Sequence, residues 1–298
     1  MSQGLVIKIV SEYCYVLSDE KIYECKAVGI LRHQKLKLTV GDKAEFEILD
    51  EINLKGSISG FESRKNLLHR PRIANIDQVI IITSVANPKF ASYILNKYLA
   101  FVEIIGIKPV LAFTKTDLID SNDPVIKEIN SYKNIGYEIF LINNKITSDS
   151  DWKRFKTIFK DKISVFTGQT GAGKSTTLNH LIPGLMEKTQ EISKALNRGK
   201  HTTTKNELFP VDGGYIADTP GFSSFELSEV NCSELAQSYS FFKINLGKCK
   251  FRDCLHLKSA PGCFIKDAVE KKQFPEFIYT DYLKMLEEIK LIEGGRKF

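Results

Sequence analysis

Apolar and polar positions change their period twice along the chain. In residues 1–68 they alternate in short runs, Leu5–Val10, Cys14–Leu17, Lys21–Lys26, Ala44–Leu49 and Leu54–Ile58, separated by turn residues such as Val40-Gly41-Asp42. The run Lys43–Leu49 reads K-A-E-F-E-I-L, the period of two of a half-buried strand. Five short strands with turns between them predict a small β-barrel, a pattern that any such barrel would give. From residue 77 onward, continuous apolar runs alternate with helical ones. Strands are expected at Asp77–Ala86, Lys108–Phe113, Tyr137–Ile142 and Ile163–Phe166, with helices at about 91–105, 124–134 and 151–160 between them. That alternation predicts a parallel α/β sheet. Near the C-terminus Ile278, Tyr282, Met285, Leu286 and Ile289 recur at helical spacing, an apolar stripe suited to a core or a subunit contact.

The loop after the strand Ile163–Phe166 carries the first chemistry. Gly168-Gln169-Thr170-Gly171-Ala172-Gly173-Lys174-Ser175 fits G-x-x-x-x-G-K-[ST] in full, and Thr176 begins the helical run behind it. Glycines let backbone N–H groups converge on phosphates, Lys174 adds a point charge, and the Ser175 hydroxyl is a Mg²⁺ ligand. The bland alternative is a Gly-rich strand–helix turn without a ligand. A second strand, Val110–Phe113, ends in Thr114-Lys115-Thr116-Asp117, close to the N-K-x-D guanine signature. A carboxylate there accepts from guanine N1–H and the 2-amino group; adenine lacks that pair and would leave it unpaired. Lys115 can lay its stem across the base, and Thr114 replaces an amide by a hydroxyl. Asp218-Thr219-Pro220-Gly221 supplies D-x-x-G, with Asp218 towards Mg²⁺ and the Gly221 N–H towards a γ-phosphate. Before it lies a polar, basic stretch, Arg198–Lys205, in the place of a first switch loop. Spacing to the strand Glu207–Val211 favours Thr204 as its Mg²⁺ ligand over Thr203.

Three thiols and one imidazole, Cys249, Cys254, His256 and Cys263, fall within fifteen residues, with Pro261-Gly262 turning the chain back. Cys₃His is a closed tetrahedral set suited to one structural zinc per chain. A disulfide pair is the rival, disfavoured in a reducing compartment. Cys14, Cys25 and Cys232 stand apart and read as small buried hydrophobes.

At 298 residues the chain accommodates two or three domains. No signal peptide or membrane-spanning apolar run is evident, so a soluble cytoplasmic protein without membrane attachment is expected. The net charge of +6 lies chiefly in residues 69–225, which hold 20 basic and 15 acidic side chains, partly at Lys188, Lys194, Arg198, Lys200 and Lys205. Such a modest excess does not establish RNA binding. In the N-terminal segment Arg32, His33, Lys35 and Lys37 are the candidates for RNA contact.

Ordinary GTPases run phosphate loop, switch I, D-x-x-G, then N-K-x-D. Here the guanine motif comes first, at 114–117, and the others follow at 168–221, a circular permutation of the same sheet. This order, with Gly199-Lys200-His201-Thr202-Thr203-Thr204, Asp218-Thr219-Pro220-Gly221-Phe222 and the Cys/His cluster, resembles the ribosome small-subunit-dependent GTPase A family, RsgA or YjeQ, over essentially the whole chain. The resemblance implies an OB-fold at 1–68, a permuted P-loop GTPase domain at 69–225 and a zinc-binding helical domain at 226–298. It also implies a monomeric enzyme that binds GTP with Mg²⁺, hydrolyses it to GDP and phosphate, and is stimulated by the 30S subunit and its 16S rRNA during late maturation. The departures are Thr114 for Asn, and Asn143-Asn144 where the loop facing guanine O6 usually reads Ser-Ala.

Phe222 stands where Ras-like enzymes carry a water-orienting Gln. His201 is the nearest group by sequence able to take that role, alongside Lys174 and Thr204 in catalysis; it could equally shape its loop or touch RNA. Three readings stay open: a small-subunit GTPase, a permuted GTPase acting on the large subunit, and a nucleotide-dependent RNA-binding module with little catalysis.

Overall fold

Strict alternation makes β4 (Lys43–Asp50) bury Ala44 and Phe46 and turn Lys43, Glu47 and Leu49 outward. The computed structural model describes residues 1–28, 37–69, 71–146, 150–185, 207–218 and 227–295. With β1 (Ser2–Val10), β2 (Tyr13–Ser18), β3 (Lys21–Ala27) and β5 (Lys55–Phe61), β4 closes a five-stranded barrel. The order β1-β2-β3-β5-β4 returns to β1 through the antiparallel pairing of Ser2–Leu5 with Lys43–Phe46, and β3 with β5 is parallel. This is the OB-type arrangement. Val6, Val16, Tyr23, Phe46 and Ile58 fill it together with the free thiols Cys14 and Cys25, whose burial pushes them up to about 11 and about 12. Cys232 departs from the buried role expected of it: it is half-exposed, with its thiol against Glu293.

A short hairpin, β6 (Leu67–His69) with β7 (Arg72–Ala74), follows. Strands and helices then alternate as β8 (Gln78–Ser84), α1 (Ser92–Ile104), β9 (Lys108–Thr114), α2 (Pro124–Asn134), β10 (Glu138–Ile142), α3 (Ser150–Thr157), β11 (Ile163–Thr167) and α4 (Lys174–Leu181). The hairpin β12 (Glu207–Val211) and β13 (Gly214–Asp218) comes next. The chain ends in α5 (Cys232–Ala236), α6 (Ser240–Lys243), α7 (Phe264–Glu270) and α8 (Glu276–Gly295). Helix α2 starts where its residues dictate: Asp123 caps it by accepting from Val125 N–H, and Pro124 occupies the first turn, where no donor is missed.

The chain gathers into two compact units. One comprises Met1–Gln78, Lys153–Phe166 and Ser175–Phe222. In it β11 and β13 are parallel, while β12 runs antiparallel to β13 across the Asp212-Gly213 turn, so the sheet is mixed rather than wholly parallel. Strand β12 also pairs with β1 of the barrel at Lys8↔Glu207, where the side chains form an ion pair at 2.9 Å.

The other unit comprises Val79–Trp152, Thr167–Lys174 and Ser223–Phe298. Its strands β10, β9 and β8 are neighbours in that order and almost fully buried, as continuous apolar runs covered on both faces require. Helix α8 buries Ile278, Tyr282, Met285, Leu286 and Ile289, the stripe read from spacing. Two buried polar clusters tie it and α6 to α1. Asn96 donates to Asp281 at 2.8 Å and accepts from Tyr132 at 3.0 Å. Glu103, 5 % exposed, accepts from Tyr137, Ser240 and Lys243. No helix among the described residues is long and apolar enough to cross a membrane.

Candidate functional site: a phosphate loop beside a guanine motif

The loop from Gly168 to Lys174 and the strand end at Thr114–Asp117 lie in one unit and are bonded to each other. Gly168, with φ +134°, approaches β8 so closely that a Cβ there would fall 1.9 Å from the Ile82 carbonyl oxygen. Only glycine fits. Gly171 and Gly173 also have positive φ. The Thr114 hydroxyl donates to the Ala172 carbonyl, and the Lys115 ammonium donates to Gly171 O at 2.9 Å and to Asn87 O. Lys174, its pKa lowered by burial, donates to Gly168 O at 2.6 Å and Gln169 O at 2.8 Å. In a trans peptide the carbonyl and the following N–H point opposite ways. Holding the carbonyls of Gly168, Gln169 and Ala172 therefore aims the amides of Gln169, Thr170 and Gly173 away from those donors and leaves them unspent on these bonds.

Thr114 thus does by hydroxyl what an amide was expected to do, while Lys115, expected along a base, reaches the phosphate loop with its ammonium. Thr116 and Asp117 open a single 3₁₀ turn whose N-cap, Lys115, is left-handed at φ +61°. Asp117 meets Lys145 at 2.6 Å, and that hydrogen bond, with charge behind it, holds the carboxyl below its ordinary range. Lys145 was not singled out from the sequence; its signal was its place in the loop after β10, directly behind Asn143-Asn144.

Ser175, Thr176 and Asp218 belong to the other unit. There Asp218 closes β13 one residue beyond the Val165↔Ala217 pair, at the carboxyl end of both parallel strands. Ser175 and Asp218 are hard oxygen donors, the set that suits Mg²⁺. The expectations placed on Arg32, His33, Lys35, Lys188, Lys194, Arg198, Lys200, His201, Thr203, Thr204, Lys205, Gly221 and Phe222 lie outside the described residues.

In the C-terminal part the ligand atoms of Cys249, Cys254, His256 and Cys263 all fall within 4.8 Å of one another. Cys249 Sγ and Cys263 Sγ lie 3.7 Å and 3.5 Å from His256 Nδ1. A tetrahedral zinc with ordinary bond lengths separates sulfur from nitrogen by roughly 3.6 Å, so the set fits. His256 Nε2–H donates to Ala236 O at 3.1 Å, which leaves Nδ1 as the lone pair facing the thiols. Tyr279 and Tyr282 donate to the His256 and Leu255 carbonyls at 2.7 Å each and fix the turn from α8. Burial pushes the Cys263 thiol up to about 12 and lowers His256. A divalent cation offsets that cost for the thiolate and favours the neutral imidazole.

Together these features define a circularly permuted P-loop GTPase fold with an OB-like barrel before it and a Cys/His knuckle behind. The sequence model of the RsgA GTPase matches residues 61–228, and that of the RsgA N-terminal domain matches residues 3–58. The chain belongs to the RsgA GTPase family. It is 42% identical to small ribosomal subunit biogenesis GTPase RsgA 2 of Oceanobacillus iheyensis, over 97% of this chain and 98% of the relative. To small ribosomal subunit biogenesis GTPase RsgA of Bacillus subtilis it is 38% identical, at the same coverages. Among solved structures it resembles YloQ, a circularly permuted GTPase, with TM-score 0.82 and 34% identity over 97% of this chain and 95% of the other. YjeQ from Thermotoga maritima gives TM-score 0.81 and 33% identity over 97% and 98%.

Replacing Gly168 by Ala should push the phosphate loop off β8. We expect a protein that stays folded by circular dichroism but loses nucleotide binding by at least about tenfold in calorimetry, because the strained loop no longer presents its amides together.

Proposed function

We propose that this chain is a GTPase that hydrolyses GTP to GDP and phosphate in the biogenesis of the small ribosomal subunit, stimulated by the 30S particle and its 16S rRNA late in maturation. The observation that carries the reading is the bonding of Thr114 and Lys115 to the carbonyls of Ala172 and Gly171, which sets a guanine-reading strand end against a phosphate loop. Family membership supports the same reading. We assign a barrel at 1–68, a GTPase domain at 69–225 and a zinc domain at 226–298, and a monomer in solution.

In this reading Gly168–Thr176 wraps the phosphates with backbone amides, Lys174 places its charge beside them, and Asp117 accepts from guanine N1–H and the 2-amino group. Thr114 and Lys115 hold the phosphate loop in register with the base. Ser175 and Thr204 would ligate Mg²⁺, with Asp218 behind them and the Gly221 N–H at the γ-phosphate. Bound Mg²⁺ would neutralise charge developing on the phosphates. Phe222 cannot polarise water, so His201 is assigned that task, and a partner that orders its loop would raise turnover. Cys249, Cys254, His256 and Cys263 would hold one structural zinc.

Measuring GTP turnover with 30S particles, with 50S particles and with neither tests the function. Acceleration by 30S is expected. Stimulation by 50S alone would identify a large-subunit GTPase instead, and no turnover in any arm would leave a binding module.

Asp117→Asn should cost on the order of 2–3 kcal/mol of GTP binding and move preference towards xanthine nucleotides, whose 2-oxo group accepts from the new amide. Equal competition of ATP and GTP for the wild-type site would refute the guanine assignment.

Elemental analysis should find one zinc per chain, lost in Cys263→Ser with local unfolding of residues 249–263 while nucleotide binding persists. Purified protein free of zinc, or with a disulfide among these thiols, would overturn the assignment.

A further inference from the structure

The chain has a single tryptophan, Trp152, and it is fully buried near the start of α3. A buried indole N–H must find an acceptor, whereas Phe or Leu could fill similar space without one. Here it donates at 3.0 Å to the carbonyl of Asn143, the first residue after β10. The same carbonyl accepts from Ile146 N–H at 3.2 Å, and the Asn143 side chain accepts from Lys145 N–H at 2.9 Å. Asn143 is thereby the knot of a tight turn, pinned from outside by Trp152.

That turn adjoins the nucleotide site on two sides. Lys145 reaches Asp117 at 2.6 Å, and the Asn144 side-chain nitrogen Nδ2 lies 3.6 Å from where a Cβ on Gly173 would stand. In guanine, N1–H and the 6-oxo group are neighbours on the ring. The carboxylate takes N1–H and the 2-amino group, so the part of that edge left for a neighbouring element with N–H donors is the 6-oxo group.

We infer that Trp152 is a positioning residue for purine recognition, holding the Asn143–Ile146 turn where its backbone meets the 6-oxo group of the base. The inference rests on the guanine reading above. Its physical content is preorganisation: the turn is ordered by a buried hydrogen bond before the base arrives, so less ordering entropy is lost on binding.

Two measurements test it. First, acrylamide quenching of the sole tryptophan's emission is measured on wild-type protein without nucleotide and with GDP and Mg²⁺, with calorimetry confirming binding. Little quenching in either state is expected, because the indole is buried and bonded before the base arrives. Second, calorimetry compares wild type and Trp152→Phe with GDP, IDP and 6-thioguanosine diphosphate, which keeps N1–H and the 2-amino group but puts a weakly accepting sulfur in place of the 6-oxo oxygen. The phenylalanine keeps an aromatic ring, removes the donor and is smaller than the indole. Affinity for GDP and IDP should fall about threefold to tenfold, the worth of one buried hydrogen bond, and affinity for the 6-thio nucleotide should fall by clearly less. An equal loss for all three would reduce Trp152 to a packing residue and overturn the inference. Quenching in the free protein that GDP abolishes would show a turn ordered only on binding and would overturn it too, even if the variant fails to fold. Should wild type bind no GDP in calorimetry, the guanine reading itself fails, an outcome visible separately from the other two.

Discussion

The candidate site depends on where the carbonyls of one loop are tied. Residues 168–174 have few side chains able to hold a shape, and glycine costs the most conformational entropy of any residue to order. The loop is fixed by its own lysine and from outside instead. Lys174 holds Gly168 and Gln169 from within, while Lys115 holds Gly171, Thr114 holds Ala172, and the backbone of Ile82 stands against Gly168. Two of those donors, Thr114 and Lys115, belong to the T-K-x-D strand end. Under the proposed reading, phosphate binding and base reading are coupled mechanically, and a loosened strand end at Thr114 would be felt at both.

The coupling also explains why permutation is tolerated. The order of segments along the chain matters little once β8, β9 and the phosphate loop are brought together, because the bonds from Thr114 and Lys115 to Ala172 and Gly171 join residues 58 and 56 positions apart. What must be kept is the carboxyl end of each strand, where loops can converge. Asp218 stands at the carboxyl end of β13 and obeys the same rule.

Much of this was legible in the sequence, for identifiable reasons. The barrel strands and β8–β11 declared themselves through periodicity, and β12 was read with its observed limits, Glu207–Val211. The glycine-rich loop, the guanine motif and the Cys/His spacing each specify chemistry that few other patterns serve. The orientation of β12 was missed: Val211-Asp212-Gly213-Gly214 is a two-residue hairpin turn with positive φ at both central positions, a signal that outweighs strand alternation. The pairing of β1 with β12 could not be read at all, since edge pairing between distant strands leaves no local trace. Lys145 and Trp152 were hidden for another reason. Each looks ordinary alone, and only the fold brings one to Asp117 and the other to Asn143.

The two buried polar clusters on α1 carry the synthesis to the C-terminal helices. An apolar interface between α1 and α8 would hold almost as well in neighbouring registers. Asn96 with Asp281 and Tyr132, and Glu103 with Ser240, Lys243 and Tyr137, admit one register only, because any slip leaves a buried carboxylate without donors. Removing a single partner from such a set costs more than the bond itself is worth. Helices α6 and α8 are consequently locked to α1, and α8 in turn fixes the turn of His256 through Tyr279 and Tyr282. A continuous chain of buried hydrogen bonds and packed rings thus runs from β9, through Phe113 and Tyr132, to the Cys/His knuckle. The knuckle is thereby tied to the strand that ends in Thr114.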